Sequence, residues 1–404
     1  MRKTMVPLLV TVLMVFSAYQ LLTPILAPLS RELSLSESRL GIVITVGAAT
    51  LTLTSPLWGH VLAVVGLRTV LVTGLVLTTA GLAGFAAVAR AGLDGALSPA
   101  ATFWLMILTR GVTFGAGIAA MPVASVAAAS VITGGETERT RAIGLVSAAQ
   151  SSSLILGTAG GGALAVVSLL LPVYLAPVVT ALLVVWVLIA VRPVPAPRDR
   201  GPRTAGPRPW EARLWPLLTT GFFLYLSLAL IQVIIGFLVA DRLGLDPQGT
   251  AGAVGIALFV AGVVIVAVQG AAVPALGWPP LRLLRVGIPV TGASFAVLLT
   301  AAHLWTVTAA FVLMTLGLGL AVPGFTAATT LAVGPAQQGA VSGLIGATVG
   351  TTFIAGPLLG TALYEVSPEI PILASLAAVL VALGLVWLSP AARPLVPAPQ
   401  DAKS

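Results

Sequence analysis

An all-α membrane protein, with twelve bilayer-crossing helices in two pseudo-symmetric six-helix halves, is the fold this sequence predicts, and three observations predict it. The first is composition: 58% of the 404 residues are hydrophobic and only 8% charged, against ~45–50% apolar and ~25% charged in soluble domains. The second is the placing of the arginines, which collect in alternate loops. The third is a repeat, in which ILGTAGGGAL at 155–164 returns as IAGPLLGTAL at 354–363. Run back without a gap to Gly144 and Gly343, the two copies share eight identical residues.

A bilayer core is crossed by about 20 apolar residues, and charge, Pro and Gly punctuate successive crossings. Span one, 6–27, follows the basic start MRK and stays uncharged to Ser30, too long for the apolar stretch of a signal peptide. Span two, 40–64, opens after Arg39 and closes at Gly66, and span three, 69–89, runs from Arg68 to Arg90. Span four, 102–131, contains Arg110 and stops at GGETERTR. The uncharged run 142–191 is too long for one helix and divides near Pro172 into spans five, 143–166, and six, 172–191. Span seven, 215–240, ends at Asp241, span eight, 250–273, ends in GAAVPALG, and span nine, 284–302, follows the arginines of LRLLR. A second long uncharged run, 304–364, divides at VGPAQQG into spans ten, 305–331, and eleven, 340–363; span twelve, 370–389, follows Glu369.

With the N-terminus cytoplasmic, fifteen of the twenty basic residues fall on the cytoplasmic side; only Arg31, Arg39, Arg90 and Arg242 fall outside, and Arg110 lies within a span. This is the positive-inside bias. It explains the net charge of +8 as topology, so no nucleic-acid partner is expected. The expectation is a multi-pass protein of a bacterial inner (plasma) membrane with both termini cytoplasmic. The stretch 192–213, with six arginines and six prolines, reads as an extended cytoplasmic connector. It divides the chain into an N-terminal half, 1–191, a linker, 192–214, and a C-terminal half with its tail, 215–404.

Spans five and eleven hold the same place in each half, which accounts for the repeat. A second pairing agrees with it: GHVLAVVG at 59–66 leaves span two as GAAVPALG at 270–277 leaves span eight. Gly157 and Gly161, like Gly356 and Gly360, lie four apart on one helix face, where a missing side chain permits close helix approach. Pro357 removes a backbone hydrogen bond and permits a bend. The duplicated pattern is expected at a moving interface.

Three motifs carry a family resemblance. PLWGHVLAVVGLRTVL at 56–71 is similar to the loop signature Gly-x-Leu-Ala-Asp-Arg-x-Gly-Arg-Arg, matching at Gly59, Gly66 and Arg68, with Ala63 in place of the Asp and Val64 in place of the first Arg. LTRGVTFGAGIAA at 108–120 is similar to a span-four signature Arg-x-x-x-Gly-x-Gly, with Gly115 one residue late. Gly157, Gly160, Gly161 and Gly162 approximate a span-five antiporter signature whose Pro stands instead in the span-eleven copy. Over essentially its whole length the chain resembles the major facilitator superfamily, its twelve-span efflux branch in particular. The resemblance implies alternating access between two rocking halves, gating roles for the glycines and Arg68 above, and a coupling or substrate role for Arg110. It also implies that the cytoplasmic latch built on the missing Asp is incomplete here.

Arg110 is the one charge inside the apolar core, where an arginine costs ~2.5–3.5 kcal/mol and faces a cavity or a partner by default. Gln20 reaches a similar depth on span one, and its amide oxygen is a candidate partner for the guanidinium. Tyr19, Gln150, Tyr225, Gln232, Phe325 and Thr352 are further candidates to line an apolar pocket with a few oriented polar groups. None of the twelve carboxylates falls well inside a span; Asp241 and Glu365, at the outer ends of spans seven and eleven, are the candidate proton carriers.

No cofactor or metal is expected, since the chain has no cysteine and two histidines. There is no phosphate-loop motif for ATP use and no constellation of carboxylates or nucleophile and base for an enzyme. The reading is a monomeric secondary transporter in a lipid bilayer, exporting a lipophilic or amphipathic small molecule, with protons as a candidate second partner. Two alternatives stay open at this point: uptake of a small organic anion, and translocation of lipid through the same central cavity.

Overall fold

The computed structural model describes residues 2–132, 136–191, 207–334 and 337–388. Most of the linker, 192–206, and the tail from 389 lie outside the described residues, as do the side chains of Glu136, Glu138, Arg139 and Arg141.

The described chain is built from helices: α1 Arg2–Gln20, α2 Leu26–Glu32, α3 Glu37–Val65, α4 Leu67–Leu93, α5 Pro99–Met106, α6 Phe114–Ile118, α7 Ala120–Ile132, α8 Glu136–Val167 and α9 Leu171–Ala190 form the first half. The second half has α10 Trp215–Leu243, α11 Pro247–Ala267, α12 Val273–Leu276, α13 Pro280–Leu299, α14 Leu304–Leu331, α15 Gln338–Val366 and α16 Ile370–Leu388. Two π-helical segments, Ile107–Thr113 and Val268–Ala272, join α5 to α6 and α11 to α12. With those joints and the one-residue break at Ala119 counted as continuous, and the short α2 set aside, twelve rods stand among the described residues in the predicted order. Ten are long and apolar enough to cross a membrane; α1 offers the shorter apolar stretch Met5–Gln20, and α8 is diluted by Ser, Gln and Gly.

Local chemistry sets the ends. Ser36, Ser98 and Asp246 accept from backbone N–H groups three residues on and so cap α3, α5 and α11, the last two followed by Pro at the first helical position. Gly66 and Gly277, paired in the repeat, both close their helices at positive φ, 81° and 55°, a conformation that costs glycine little. The first span is shorter than expected. α1 stops at Gln20, a turn carries the chain through Pro24, and α2 lies as a separate short helix; a proline cannot supply the N–H that would continue the ladder.

Each half has its own hydrophobic core, one centred on Leu22, Leu71, Phe85 and Phe114, the other on Phe237, Phe295, Phe311 and Phe325. Two antiparallel seams join the halves. In one, a Cβ placed at Gly162 of α8 would lie 2.7 Å from the Gly255 Cα of α11, so these backbones touch because neither has a side chain. In the other, a Cβ at Gly41 of α3 would meet Thr361 Oγ1 at 2.0 Å and the Pro357 carbonyl at 2.7 Å on α15. Thr45 Oγ1 donates to the Ile354 carbonyl at 3.0 Å along that seam.

Both seams close at the end of the bundle that carries Arg31, and they open toward the end that carries Arg68. A side chain added at Gly270, Gly343 or Gly346 would meet nothing within 4 Å. α3 and α15 are consequently the least buried of the ten candidate spans, each with 22% of its apolar window buried. Each leans on the other half at one end only.

Candidate functional site

Arg110 sits in the middle of the π-helical segment Ile107–Thr113, where Thr113 Oγ1 donates to the Leu108 carbonyl five residues back at 2.8 Å. A π-turn accommodates one extra residue in a helix. That is the physical content of Gly115 standing one position late: the added residue is absorbed by the wider turn, and Gly115 still packs on α3, where its Cβ would lie 2.8 Å from the Gly47 carbonyl.

The Arg110 side chain is buried, 5% exposed. Its guanidinium carbon lies 4.2 Å from the Phe114 ring centre and 5.1 Å from that of Tyr19, and the two rings stack at 5.5 Å. Aromatic faces attract a cation through their quadrupole, by up to ~2 kcal/mol when water is excluded, so this pair replaces part of the lost hydration. Among the described residues, Arg110 Nε has no hydrogen-bond partner and no carboxylate pairs with the group. A narrow pocket lined by Leu29, Ser30, Val43, Ile44, Phe85 and Met106 runs from the guanidinium to the underside of α2. The arrangement is a fixed positive charge in an apolar setting with donor capacity to spare.

Of the other predicted pocket residues, the structure gathers some and separates others. Tyr19 joins Arg110 as described, whereas the Gln20 amide oxygen accepts from Thr23 Oγ1 at 3.1 Å. Gln150 on α8 and Gln232 on α10 are half-buried, and neither amide makes a hydrogen bond among the described residues. In the other half, Tyr225 and Phe325 meet edge to face at 6.3 Å. Phe325 is fully buried in the core, filling the space left by Gly221, where a Cβ would come within 2.3 Å of its ring. Thr352 is also fully buried, its hydroxyl donating to the Val349 carbonyl at 2.7 Å.

The predicted gating residues divide likewise. Gly157 and Gly161 pack inside the first half against α1, where their Cβ atoms would lie 2.4 Å from Gln20 Cβ and 2.2 Å from the Leu21 carbonyl. Gly356 and Gly360 pack inside the second half against α10, at 2.3 Å from Ala229 Cβ and 2.8 Å from the Leu230 carbonyl. These four therefore hold each half together rather than lying between the halves; the inter-half seams use Gly41, Gly162, Gly255 and the Pro357 carbonyl. A side chain at Gly59 would meet open space. Arg68 donates to the Leu188 carbonyl, tying α4 to α9 within one half.

Asp241 and Glu365 both lie at the closed end. Asp241 takes a two-pronged ion pair from Arg31, Nη1 to Oδ1 at 2.5 Å and Nη2 to Oδ2 at 2.9 Å, and Tyr364 donates its phenol to Oδ2 at 2.7 Å. Arg31 Nη2 also reaches Glu37 at 2.9 Å, and its guanidinium rests on the Phe237 ring at 5.0 Å. The hydrogen bond to Asp241, working against partial desolvation, raises the Arg31 pKa above its already high ordinary value, so the cation is permanent. Glu365 accepts from the Ser38 backbone N–H at 2.8 Å. Sequence reasoning missed Arg31, Glu37 and Tyr364 because each looks like an ordinary loop or helix-end residue until two halves are brought face to face.

Comparison with known proteins gives the family. No curated protein sequence matches the chain. Solved structures do: a nucleoside transporter at 13% identity and TM-score 0.71, covering 95% of this chain and 98% of that one. A human organic anion transporter matches at 17% identity and TM-score 0.64, covering 95% and 99%. A bacterial homologue of the iron transporter ferroportin, in an inward-facing state, matches at 15% identity and TM-score 0.72, covering 95% and 98%. At such identities these matches establish the fold. The family model described as Major Facilitator Superfamily matches residues 8–344, and the chain is therefore a member of that superfamily of membrane transporters.

Proposed function

We propose that this transporter exports a lipophilic or amphipathic small molecule, rocking its two halves about the α3/α15 and α8/α11 seams and presenting Arg110 to the polar head of the cargo. The observation that carries the reading is the buried Arg110 guanidinium, packed beside the stacked pair Tyr19 and Phe114 with Nε unpartnered. A buried cation without a protein counter-charge favours a cargo that brings acceptors or negative charge, and apolar surroundings favour a hydrocarbon body. The arginine distribution supports cytoplasmic termini in a bacterial inner membrane. The Arg31 end then faces outward, and the structure is open to the cytoplasm.

A second reading, uptake of a small organic anion, draws on the same unpartnered Nε. Direction separates the two. In proteoliposomes of known orientation, export predicts faster flux of an amphipathic dye from the cytoplasmic face, and uptake predicts a small carboxylate moving the other way. A fluorescent lipid crossing in place of the dye would point to lipid translocation. Asp241 and Glu365 remain the proposed proton groups. Downhill flux is expected to persist without a pH gradient, and concentrative flux to fail in Asp241→Asn or Glu365→Gln; strict proton dependence surviving both would refute that assignment.

A further inference from the structure

We infer that Arg31 and Asp241 form a latch that holds the Arg31 end of the transporter shut and sets its resting state open at the opposite end. This does not depend on which molecule is carried.

The two residues belong to different halves. Arg31 is on α2, the short helix of the N-terminal half that packs against α3 and against α10 and α11 of the other half, and Asp241 is in the last turn of α10. Their contact is bidentate, the strongest geometry for an arginine and a carboxylate. It is reinforced on three sides: Glu37 of α3 takes the second edge of the guanidinium, Phe237 lies beneath it, and Tyr364 of α15 fills the remaining valence of Asp241. An isolated ion pair with side chains 35% and 39% exposed would be worth little. A bidentate contact shared among four helices couples their movements instead, since α2, α3, α10 and α15 cannot part without breaking it.

The neighbouring contacts align with it. Ala27 of α2 sits where Gly236 of α10 has no side chain, its Cβ 2.5 Å from the position a Gly236 Cβ would take. Glu365 holds the Ser38 N–H one turn along, and Gly41 receives Thr361 below that. Charge and close packing therefore coincide at one end. At the other, the loop signature has Ala63 and Val64 in place of its charged pair, and Gly270, Gly343 and Gly346 face open space. Among the described residues, one ion pair crosses between the halves, Arg31–Asp241 at this end.

The absence of cysteine makes the test direct and independent of any cargo. Thr361→Cys, in the closed seam, and Gly343→Cys, in the open one, are introduced singly and labelled with a membrane-impermeant thiol reagent from the side each faces. Arg31→Ala and Asp241→Asn should each make Thr361→Cys react about fivefold faster, the factor of a contact worth ~1 kcal/mol, while Gly343→Cys, which reports the majority state, should slow only slightly. The double mutant should match either single rather than their product, as two ends of one contact require. Tyr364→Phe, which removes one hydrogen bond and no volume to speak of, should shift both rates the same way by less; it decides the matter if the charge variants do not yield folded protein. Unchanged labelling in the single variants or in Tyr364→Phe, or a double mutant equal to the product of the singles, would overturn the latch.

Discussion

The two halves share a skeleton and differ in chemistry. In each, a pair of glycines four apart on the fifth helix of the half, Gly157 and Gly161 on α8 or Gly356 and Gly360 on α15, seats that helix against the half's first helix, α1 or α10. In each, a positive-φ glycine, Gly66 or Gly277, turns the chain after its second rod. Yet the first half buries Arg110 against the stacked pair Tyr19 and Phe114, while no charge stacks on the aromatic pair Tyr225 and Phe325 of the second half among the described residues. Backbone approach is what the duplication preserved, because a glycine in a helix contact tolerates almost no replacement. Polar side chains around the cavity are free to diverge, since only one half has to supply the charge.

The largest effect that would sharpen this contrast is at Arg110. Arg110→Ala should lower transport by about 30-fold or more, the equivalent of ~2 kcal/mol lost at a buried charged contact, with expression and membrane insertion retained because the insertion cost of the charge is relieved. Arg110→Lys should keep part of the activity, an ammonium being unable to reproduce the planar fork. Phe325→Leu should cost stability more than flux. Flux in proteoliposomes measured beside thermal midpoints separates the cases, and normal transport by Arg110→Ala would end the asymmetry.

A middle-sized effect tests the shared skeleton. Gly161→Ala would push a methyl against the Leu21 carbonyl, and Gly360→Ala against the Leu230 carbonyl, with starting gaps of 2.2 and 2.8 Å. Overpacking of this kind costs ~1–3 kcal/mol, so both should lower the thermal midpoint, Gly161→Ala more. A stabilised Gly161→Ala would break the claim that these glycines exist for contact. The smallest effect is expected at Gly343, exposed and facing open space on α15. Gly343→Ala should stabilise by no more than ~1 kcal/mol through helix propensity alone, and a fall in midpoint would mean that the seam closes there too.

Much of the architecture was legible from composition and punctuation. Charges and prolines mark the rod ends at Arg39, Arg90, Asp241 and Pro247 within a few residues, because a charge is costly in hydrocarbon and a proline is best accommodated at a helix start. The break at Pro24 was not legible, since 6–27 is apolar throughout and one proline is tolerated inside many membrane helices, as Pro56, Pro177 and Pro323 are here. The late Gly115 was visible as an irregularity of spacing, and its meaning as a π-turn needed the backbone. Arg110 stood out because a lone charge in an apolar run is costly wherever it points; which side chains receive it was not readable, and the structure favours Tyr19 and Phe114 over Gln20.

What the sequence by itself determined is therefore what one-dimensional energetics controls: which segments enter the bilayer, which loops hold the arginines, that the chain is internally duplicated, and that Arg110 is exceptional. Tertiary structure alone decided which glycines face their own half and which face the other, since Gly161 and Gly162 are adjacent in the chain and differ by about 100° around the helix. It also decided that Arg31 and Asp241, at two helix ends 210 residues apart in the chain, meet between the halves. Hydropathy is a property of a residue and its neighbours in the chain, whereas a contact between halves depends on the rotation of two rods about their axes, which no local pattern specifies.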